Sequence, residues 1–540
     1  MSTKYIFVVG GVISGVGKGI TTSSIGLLLK ARGYRVTALK IDPYINVDAG
    51  TMNPTEHGEV FVLSDGDECD QDMGNYERFL DVSLSRNNYM TTGRVYSTVI
   101  KNERKMKYKG KTVQVIPHIP EEVIRRIVAA GKVAAADIVM IEIGGTVGEY
   151  ENLVFLEALR MMKAKAPSDV MSVMVSYLPS PSTVGEMKTK PTQHAIRSLQ
   201  SAGVQPDILI ARSAVPMDDR RKEKLSQFCN VYKDRIISAP DVSSVYDVPI
   251  NFEKDNISNI IISCLKLKKK TSSKLLNEWK SFFKSRSGDL SIAIVGKYFN
   301  TGDFVLSDAY LSVIEALKYA GYKNKVNIKL KWLSSQDFES GKLLLSELKN
   351  YSGVLVPGGF GSTGVEGKIK VIQYLRENKI PFFGICYGMQ LAVVEYARNV
   401  LKLHDANTTE INPSTKNPVI DLQDSQKLNI KNSVYGNTMR LGDYDCSIKK
   451  STHMYSAYKA DSIVERHRHR YEVHNKYCSS LESAGLVFSG HNPKANLVEA
   501  IELPKSVHPF YVAVQYHPEF TSRPIKSHPL FDAFIKAAKS

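Results

Sequence analysis

Apolar positions in this chain gather into short continuous runs, and the most distinctive runs are closed by glycines. Residues 4–9 form one such run and read as a buried strand. It leads into Gly10-Gly-Val-Ile-Ser-Gly-Val-Gly-Lys-Gly-Ile-Thr21, after which a helical pattern carries through Leu27 to Ala31. Residues 137–142 form a second buried strand, which ends in Glu142 just before Gly144 and Gly145. In the second half, residues 353–356 run into Pro357-Gly-Gly-Phe-Gly361, and residues 381–383 run into Gly384-Ile-Cys-Tyr-Gly388. A helical pattern covers residues 390–398, and residues 510–515 alternate into a strand ending at Tyr516-His-Pro-Glu-Phe520. Glycine turns between strand and helix are where backbone N–H groups become available to a ligand, so each of these junctions is a candidate site.

The first junction reads as a phosphate cradle, with backbone N–H groups and a helix N-terminus facing the anion and Lys18 adding a point charge. Its spacing departs from Gly-x-x-x-x-Gly-Lys-Ser/Thr, because Val12 stands at the first glycine and Gly19 replaces the hydroxyl residue. A bound Mg²⁺ must then find other oxygens. Asp70 and Asp72 in the acidic stretch 65–72 offer them, as does Glu142, whose place at a strand's carboxyl end is where α/β sheets bind ligands; Asp70 also reads as a surface acid. Lys188 and Lys190 lie on one side of an extended segment followed by Thr192 and Gln193, which suits a triphosphate beside a polar base or, alternatively, an ordinary surface loop.

Cys386 falls on a tight turn between strand and helix, flanked by Gly384 and Gly388, in the manner of a nucleophile elbow. The helix dipole favours a thiolate there, although a lone cysteine also reads as a buried structural thiol. His517 and Glu519 supply a base and a carboxylate to orient it, and the glycines after residue 356 supply N–H groups for an oxyanion.

At 540 residues the chain has room for two or three domains. The excess of 71 basic over 55 acidic residues, +16, suits polyanionic ligands without choosing among them. The densest basic run, residues 266–274, lacks interleaved aromatics and reads as linker, with a nucleic-acid patch as the alternative. The six cysteines show no paired metal-ligand spacing, no charged leader precedes Tyr5, and no apolar stretch approaches the roughly twenty residues a membrane span needs. These features predict a soluble cytoplasmic protein with reduced thiols.

Pro357-Gly-Gly-Phe-Gly361, Gly384-Ile-Cys-Tyr-Gly-Met-Gln390 and His517-Pro-Glu-Phe520, in this order, resemble the class I glutamine amidotransferases. The resemblance implies Cys386 as nucleophile, His517 as base, Glu519 as its orienter and the Gly359 amide in the oxyanion hole. Tyr387, Gly388, Met389, Gln390, Glu410 and Arg470 match glutamine-holding positions. Across the first half, Lys40-Ile-Asp-Pro-Tyr-Ile-Asn-Val-Asp-Ala-Gly-Thr51, Glu56-His-Gly-Glu-Val-Phe61, Glu142-Ile-Gly-Gly-Thr-Val-Gly148 and Lys188-Thr-Lys-Pro-Thr-Gln193 resemble the CTP synthase family, a likeness that extends over essentially the whole chain.

That resemblance implies an α/β protein in which a P-loop, dethiobiotin-synthetase-like amidoligase domain (1–266) is joined by a linker (267–288) to a flavodoxin-like class I glutamine amidotransferase domain (289–540). It assigns ATP to Gly15, Val16, Gly17, Lys18, Gly19, Ile20, Lys40 and Asp72, and Mg²⁺ to Asp72 and Glu142. UTP and CTP fall to Ser14, Glu149, Tyr150, Glu151, Lys188, Thr189, Lys190, Pro191, Thr192, Gln193 and Lys224. The implied activity is ATP-dependent amination of UTP with ammonia from glutamine, with CTP as feedback inhibitor and GTP as activator. A homotetramer that can form filaments is implied as well, with neither nucleic acid nor membrane as partner. Three positions depart from the family: Thr363 where an arginine associated with GTP activation is usual, and Lys109 and Tyr387 where leucines are usual. They leave a catalytically weak, nucleotide-sensing or filament-forming paralogue as a rival, beside a related ligase such as a cobyrinic-acid amidase.

Overall fold

The first unit is built on strands that are buried along nearly their whole length. β1 (Lys4–Gly11), β2 (Val36–Asp42), β3 (Tyr89–Thr91), β4 (Ile138–Ile143), β5 (Val170–Tyr177), β6 (Ile208–Ser213) and β7 (Ile236–Pro240) lie in the order β3-β2-β4-β1-β5-β6-β7. Every neighbouring pair is parallel. Consecutive residues Ile6, Phe7, Val8 and Val9 are all buried, as expected of a parallel sheet covered on both faces. The carboxyl ends of β1, β2 and β4 therefore share one edge, and the glycine loop, Lys40 and Glu142 sit there. The computed structural model describes residues 2–181, 185–284, 286–297, 307–423, 426 and 438–540.

The second unit has a mixed sheet of β8 (Asp289–Gly296), β9 (Asn327–Ser334), β10 (Gly353–Val356), β11 (Phe382–Ile385), β12 (Arg440–Ile448), β13 (Ser462–His469), β14 (Val487–Asn492), β15 (Leu497–Glu502) and β16 (Tyr511–Val514). The order is β9-β8-β10-β11-β16-β15-β14-β12-β13, parallel as far as β16 and antiparallel beyond it. β10, β11 and β16 are adjacent, so the glycine loop, the Cys386 turn and the His517 turn leave the same edge of the sheet.

The two compact units are not continuous in sequence. One unit comprises residues 1–49 and 72–283, the other residues 50–71 and 284–540. Much of the segment expected to be linker, 267–288, belongs to the first unit. Residues 274–282 form helix α4 (Lys274–Phe282), which buries Leu276 and Trp279. Trp279 packs 5.1 Å from the Phe79 ring and donates its indole N–H to Tyr246 O at 2.9 Å. The basic run ahead of it is pinned too: Tyr34 Oη donates to Lys268 O at 2.6 Å, and Lys270 Nζ donates to Gly33 O at 2.8 Å. Lysine-rich composition hid an amphipathic pair three residues apart.

Residues 50–71 belong to the second unit despite their place in the chain. There the Glu59 carboxylate accepts from Ser312 N at 3.1 Å, Asp443 N donates to Ser64 O at 2.9 Å, and Arg468 pairs with Glu68 at 2.8 Å.

Candidate active sites

The glycine loop of the first unit follows β1 and opens helix α1 (Lys18–Ala31). Val12 has φ +79°, a conformation suited to glycine and costly for a β-branched residue, which explains why glycine is usual at that place in the motif. Gly15 and Gly17 also have positive φ, and Lys18 Nζ reaches across to donate to Gly145 O at 2.8 Å. Burial lowers the Lys18 pKa, opposed mainly by the charge of Glu142. Ser14 and Gly15 are exposed, whereas Val16 turns inward.

Gly19 is required by its neighbour. A Cβ there would lie 2.1 Å from Asp72 Oδ1, so the volume a serine or threonine would use is occupied by the Asp72 carboxylate at the start of helix α2 (Asp72–Leu80). Asp72 and Glu142 converge on the buried ammonium of Lys40, which bonds Asp72 and lies 2.8 Å from Glu142 Oε1 and 3.8 Å from Asp42. Burial alone would lower Lys40; the three carboxylates outweigh it and hold its pKa well above the ordinary value. The Tyr76 hydroxyl bonds the other oxygen of Glu142. Two carboxylates already gathered around one cation are the hard oxygen donors that suit Mg²⁺, and Asp72 and Glu142 would be the residues to hold it. Among the described residues no cluster of three or more His, Cys, Asp or Glu forms a complete metal cage.

Beside the loop, Gly17, Ile20, Thr21, Arg212, Pro240 and Val242 line a small, partly enclosed pocket. Arg212, held by Asp241 at 2.7 Å, was not anticipated from the sequence, although a basic residue near the end of an apolar strand was a usable signal. A larger basic cavity of about 710 Å³ is lined by Lys188, Thr189, Lys190 and Lys224 together with Arg220 and Arg221, two further residues the sequence reading passed over. The extended reading of the segment holds only to Thr189. Lys190 begins helix α3 (Lys190–Ser201), with Pro191 in its first turn, as proline's fixed φ allows. Thr192 is turned inward, its hydroxyl accepting from Ser176 Oγ at 2.8 Å and donating to Tyr177 O at 3.2 Å, and Gln193 is buried with its Nε2 on Thr189 at 3.2 Å. Glu149 accepts from Thr146 N at 2.9 Å, while Tyr150 and Glu151 are exposed and, like Ser14, lie outside that cavity lining.

In the second unit Cys386 has φ +51° and caps helix α6 (Tyr387–Asn399), which starts three residues earlier than its pattern suggests. Gly384 and Gly388 are needed for space rather than for φ: a Cβ on Gly388 would lie 2.2 Å from Val356 O, and one on Gly384 would lie 2.8 Å from the Ala513 Cβ. The thiol faces Arg468 O and Gln515 Nε2, each at 3.8 Å. His517 Nδ1 lies 2.7 Å from Glu519 Oε1. Burial would lower His517; the charges of Glu519 and Cys386 outweigh it and lift the pKa to about 10. The glycine loop passes directly above, since a Cβ on Gly358 would lie 3.0 Å from His517 Cε1 and 3.7 Å from the Cys386 Cβ. Cys386, His517, Glu519 and Gly359 line one cavity of about 70 Å³.

The other positions expected to hold glutamine lie outside that lining. Glu410, its pKa raised by burial, accepts from Gly361 N at 2.6 Å, and Tyr387 Oη donates to Gly361 O at 3.0 Å. Gln390 donates to Tyr471 O at 3.0 Å, Gly388 and Met389 are buried in α6, and Arg470 donates to Thr438 Oγ1 at 2.7 Å. Thr363 is exposed near the glycine loop, and Lys109 is exposed with φ +52°.

A strand-end cysteine beside a His–Glu pair and a glycine loop, in a chain that also carries a parallel sheet with a glycine loop and Lys18 at its carboxyl edge, has the make-up of a ligase with its own class I glutamine amidotransferase. Residues 4–267 match the family model "CTP synthase N-terminus", and residues 305–537 match "Glutamine amidotransferase class-I". The chain belongs to the CTP synthase family. It is 49% identical to the CTP synthase of Halalkalibacterium halodurans over 100% of this chain and 99% of that one. It is 50% identical to that of Pyrococcus abyssi over 99% and 98%. Among solved structures, the glutaminase domain of Trypanosoma brucei CTPS with bound acivicin aligns at 35% identity, covering 46% of this chain and 94% of that one with a TM-score of 0.42. Among the described residues no helix is long and apolar enough to cross a membrane.

Proposed function

We propose that this enzyme makes CTP by ATP-dependent amination of UTP, with the nitrogen released from glutamine at Cys386. The observation that carries the reading is the convergence of Cys386, the His517–Glu519 pair and the Gly358–Gly359 loop on one cavity, in a chain of this family. His517 takes the thiol proton, Cys386 attacks the side-chain amide, and the Gly359 N–H receives the oxyanion. His517 then protonates the leaving ammonia, and water hydrolyses the thioester to glutamate. In the first unit, the glycine loop and Lys18 hold ATP phosphates, Lys40 places positive charge at the transferring phosphoryl, and the basic cavity at Lys188, Lys190 and Lys224 takes the UTP triphosphate. Arg212 and its pocket suit the adenine end of ATP. Asp72 and Glu142 would hold Mg²⁺, which when bound offsets phosphate charge. Phosphorylation of the uracil 4-oxygen makes the leaving group that ammonia displaces.

The same reading gives CTP a place in the UTP site as feedback inhibitor, GTP a role as activator of the glutamine reaction, and the enzyme a homotetrameric, cytoplasmic life with a capacity for filaments. Neither nucleic acid nor membrane is part of it.

The deciding experiment follows CTP formation from UTP, ATP and Mg²⁺ with glutamine or ammonium chloride, each with and without GTP. Cys386→Ala should abolish the glutamine reaction and leave the ammonia reaction; equal loss of both would refute the division of labour. Thr363→Arg should steepen the GTP response, and an unchanged titration would remove that position from GTP activation.

A further inference from the structure

Lys368 lies in the first turns of helix α5 (Val365–Glu377), which follows the glycine loop. The sequence gives it no prominence, because a lysine in an amphipathic helix ordinarily faces water. Here it is 0% exposed, and its Nζ has no hydrogen-bond partner among the described residues. A buried, unpaired ammonium is costly, so what it faces matters. A Cβ on Gly359 would lie 3.8 Å from Lys368 Nζ and 3.4 Å from Lys297 Cε. The Tyr387 ring stands beside both cations, 5.3 Å from Lys368 Nζ and 5.6 Å from Lys297 Nζ, and a π face partly replaces the missing acceptor. Lys297 also donates to Gly361 O at 3.1 Å.

We propose that Lys368 is a positioning residue of the glutaminase, placing positive charge behind the Gly359 peptide so that its N–H receives the developing oxyanion in a favourable field. The proposal rests on Cys386 as nucleophile, which Cys386→Ala tests separately.

Burial first, and the neighbouring charge of Lys297 second, lower the Lys368 pKa to about 7, while Cys386 pulls the other way. The charged groups acting on it are Lys297 from the end of β8 and Cys386 from the elbow, with Glu410 acting on Lys297 in turn. In the resting enzyme Lys368 loses its proton as pH rises through about 7, and negative charge at Gly359 draws the proton back.

The test compares Lys368→Met, which keeps the apolar stem without the charge, with Lys368→Arg, which keeps a charge at all working pH values. Lys368→Met should lower kcat with glutamine about tenfold, change KM for glutamine by less than about twofold, and leave ammonia-driven CTP synthesis intact. The pH dependence of its glutamine reaction should flatten above neutrality, and Lys368→Arg should recover activity at pH about 9 relative to Lys368→Met. The Tm of Lys368→Met should rise, and by more at pH about 6 than at pH about 9, because the penalty of the buried ammonium is complete only below its lowered pKa. Wild-type kcat and pH profile in Lys368→Met would overturn the proposal, as would a fall in Tm with kcat and KM impaired together, the mark of a structural role.

Discussion

At the scale of single residues, one glycine shows why a sequence motif and a structure disagree. Gly19 breaks the Ser/Thr rule of the phosphate loop because the Asp72 carboxylate fills the space. Gly19→Ser, which restores the familiar pattern, should therefore abolish CTP formation from glutamine and from ammonia alike, while glutamine hydrolysis alone survives. An assay of both activities on one preparation checks this. Glu519 acts at the same scale. The His517 pKa, lowered by burial but carried by Glu519 and Cys386 to about 10, lies above its unfolded value, so the stabilisation it represents is complete below pH about 6.5 and is lost as pH rises through about 10. Glu519→Gln should lower Tm most near pH 6 and least above pH 10, and thermal melts across that range measure the difference. Loss of the imidazole's orienter should also cut kcat with glutamine by orders of magnitude.

At the scale of elements, the strands were legible because apolar runs closed by glycine have few other uses. The strands at β1, β4, β10, β11 and β16 stand where the runs predict, and the Cys386, His517 and Glu519 side chains meet because β11 and β16 are neighbours. What the pattern concealed were features set by distant partners. Thr192 turns inward to Ser176, Lys190 opens a helix instead of continuing an extended segment, and Lys368 is buried beside the glycine loop, none of which local spacing encodes. Helix α4 is the clearest case, since its basic flank reads as linker while Trp279 anchors it. Trp279→Ala should destabilise the first unit by about 3–5 kcal/mol, whereas a linker residue would change almost nothing; chemical denaturation followed by circular dichroism distinguishes the two.

At the scale of the whole molecule, each compact unit is assembled from two separate stretches of chain. Phe61, wholly buried, meets the Phe520 ring at 5.0 Å, and the Arg466 guanidinium donates to Val62 O at 3.1 Å, so residues 50–71 are part of the second unit's own interior. A fragment beginning at residue 284 should consequently melt several degrees below the intact protein, and a peptide spanning 50–71 added in trans should restore part of the loss.

The same arrangement has a consequence during synthesis. Residues 50–71 leave the ribosome ahead of residues 72–283, and the rest of their unit follows only after that. At about 5–20 residues per second this separation lasts on the order of ten to forty seconds. Phe61 and its neighbours wait longer still, until Arg466 and Phe520 have been made, so this short apolar stretch is open to chaperone binding after the strands of the first sheet are complete.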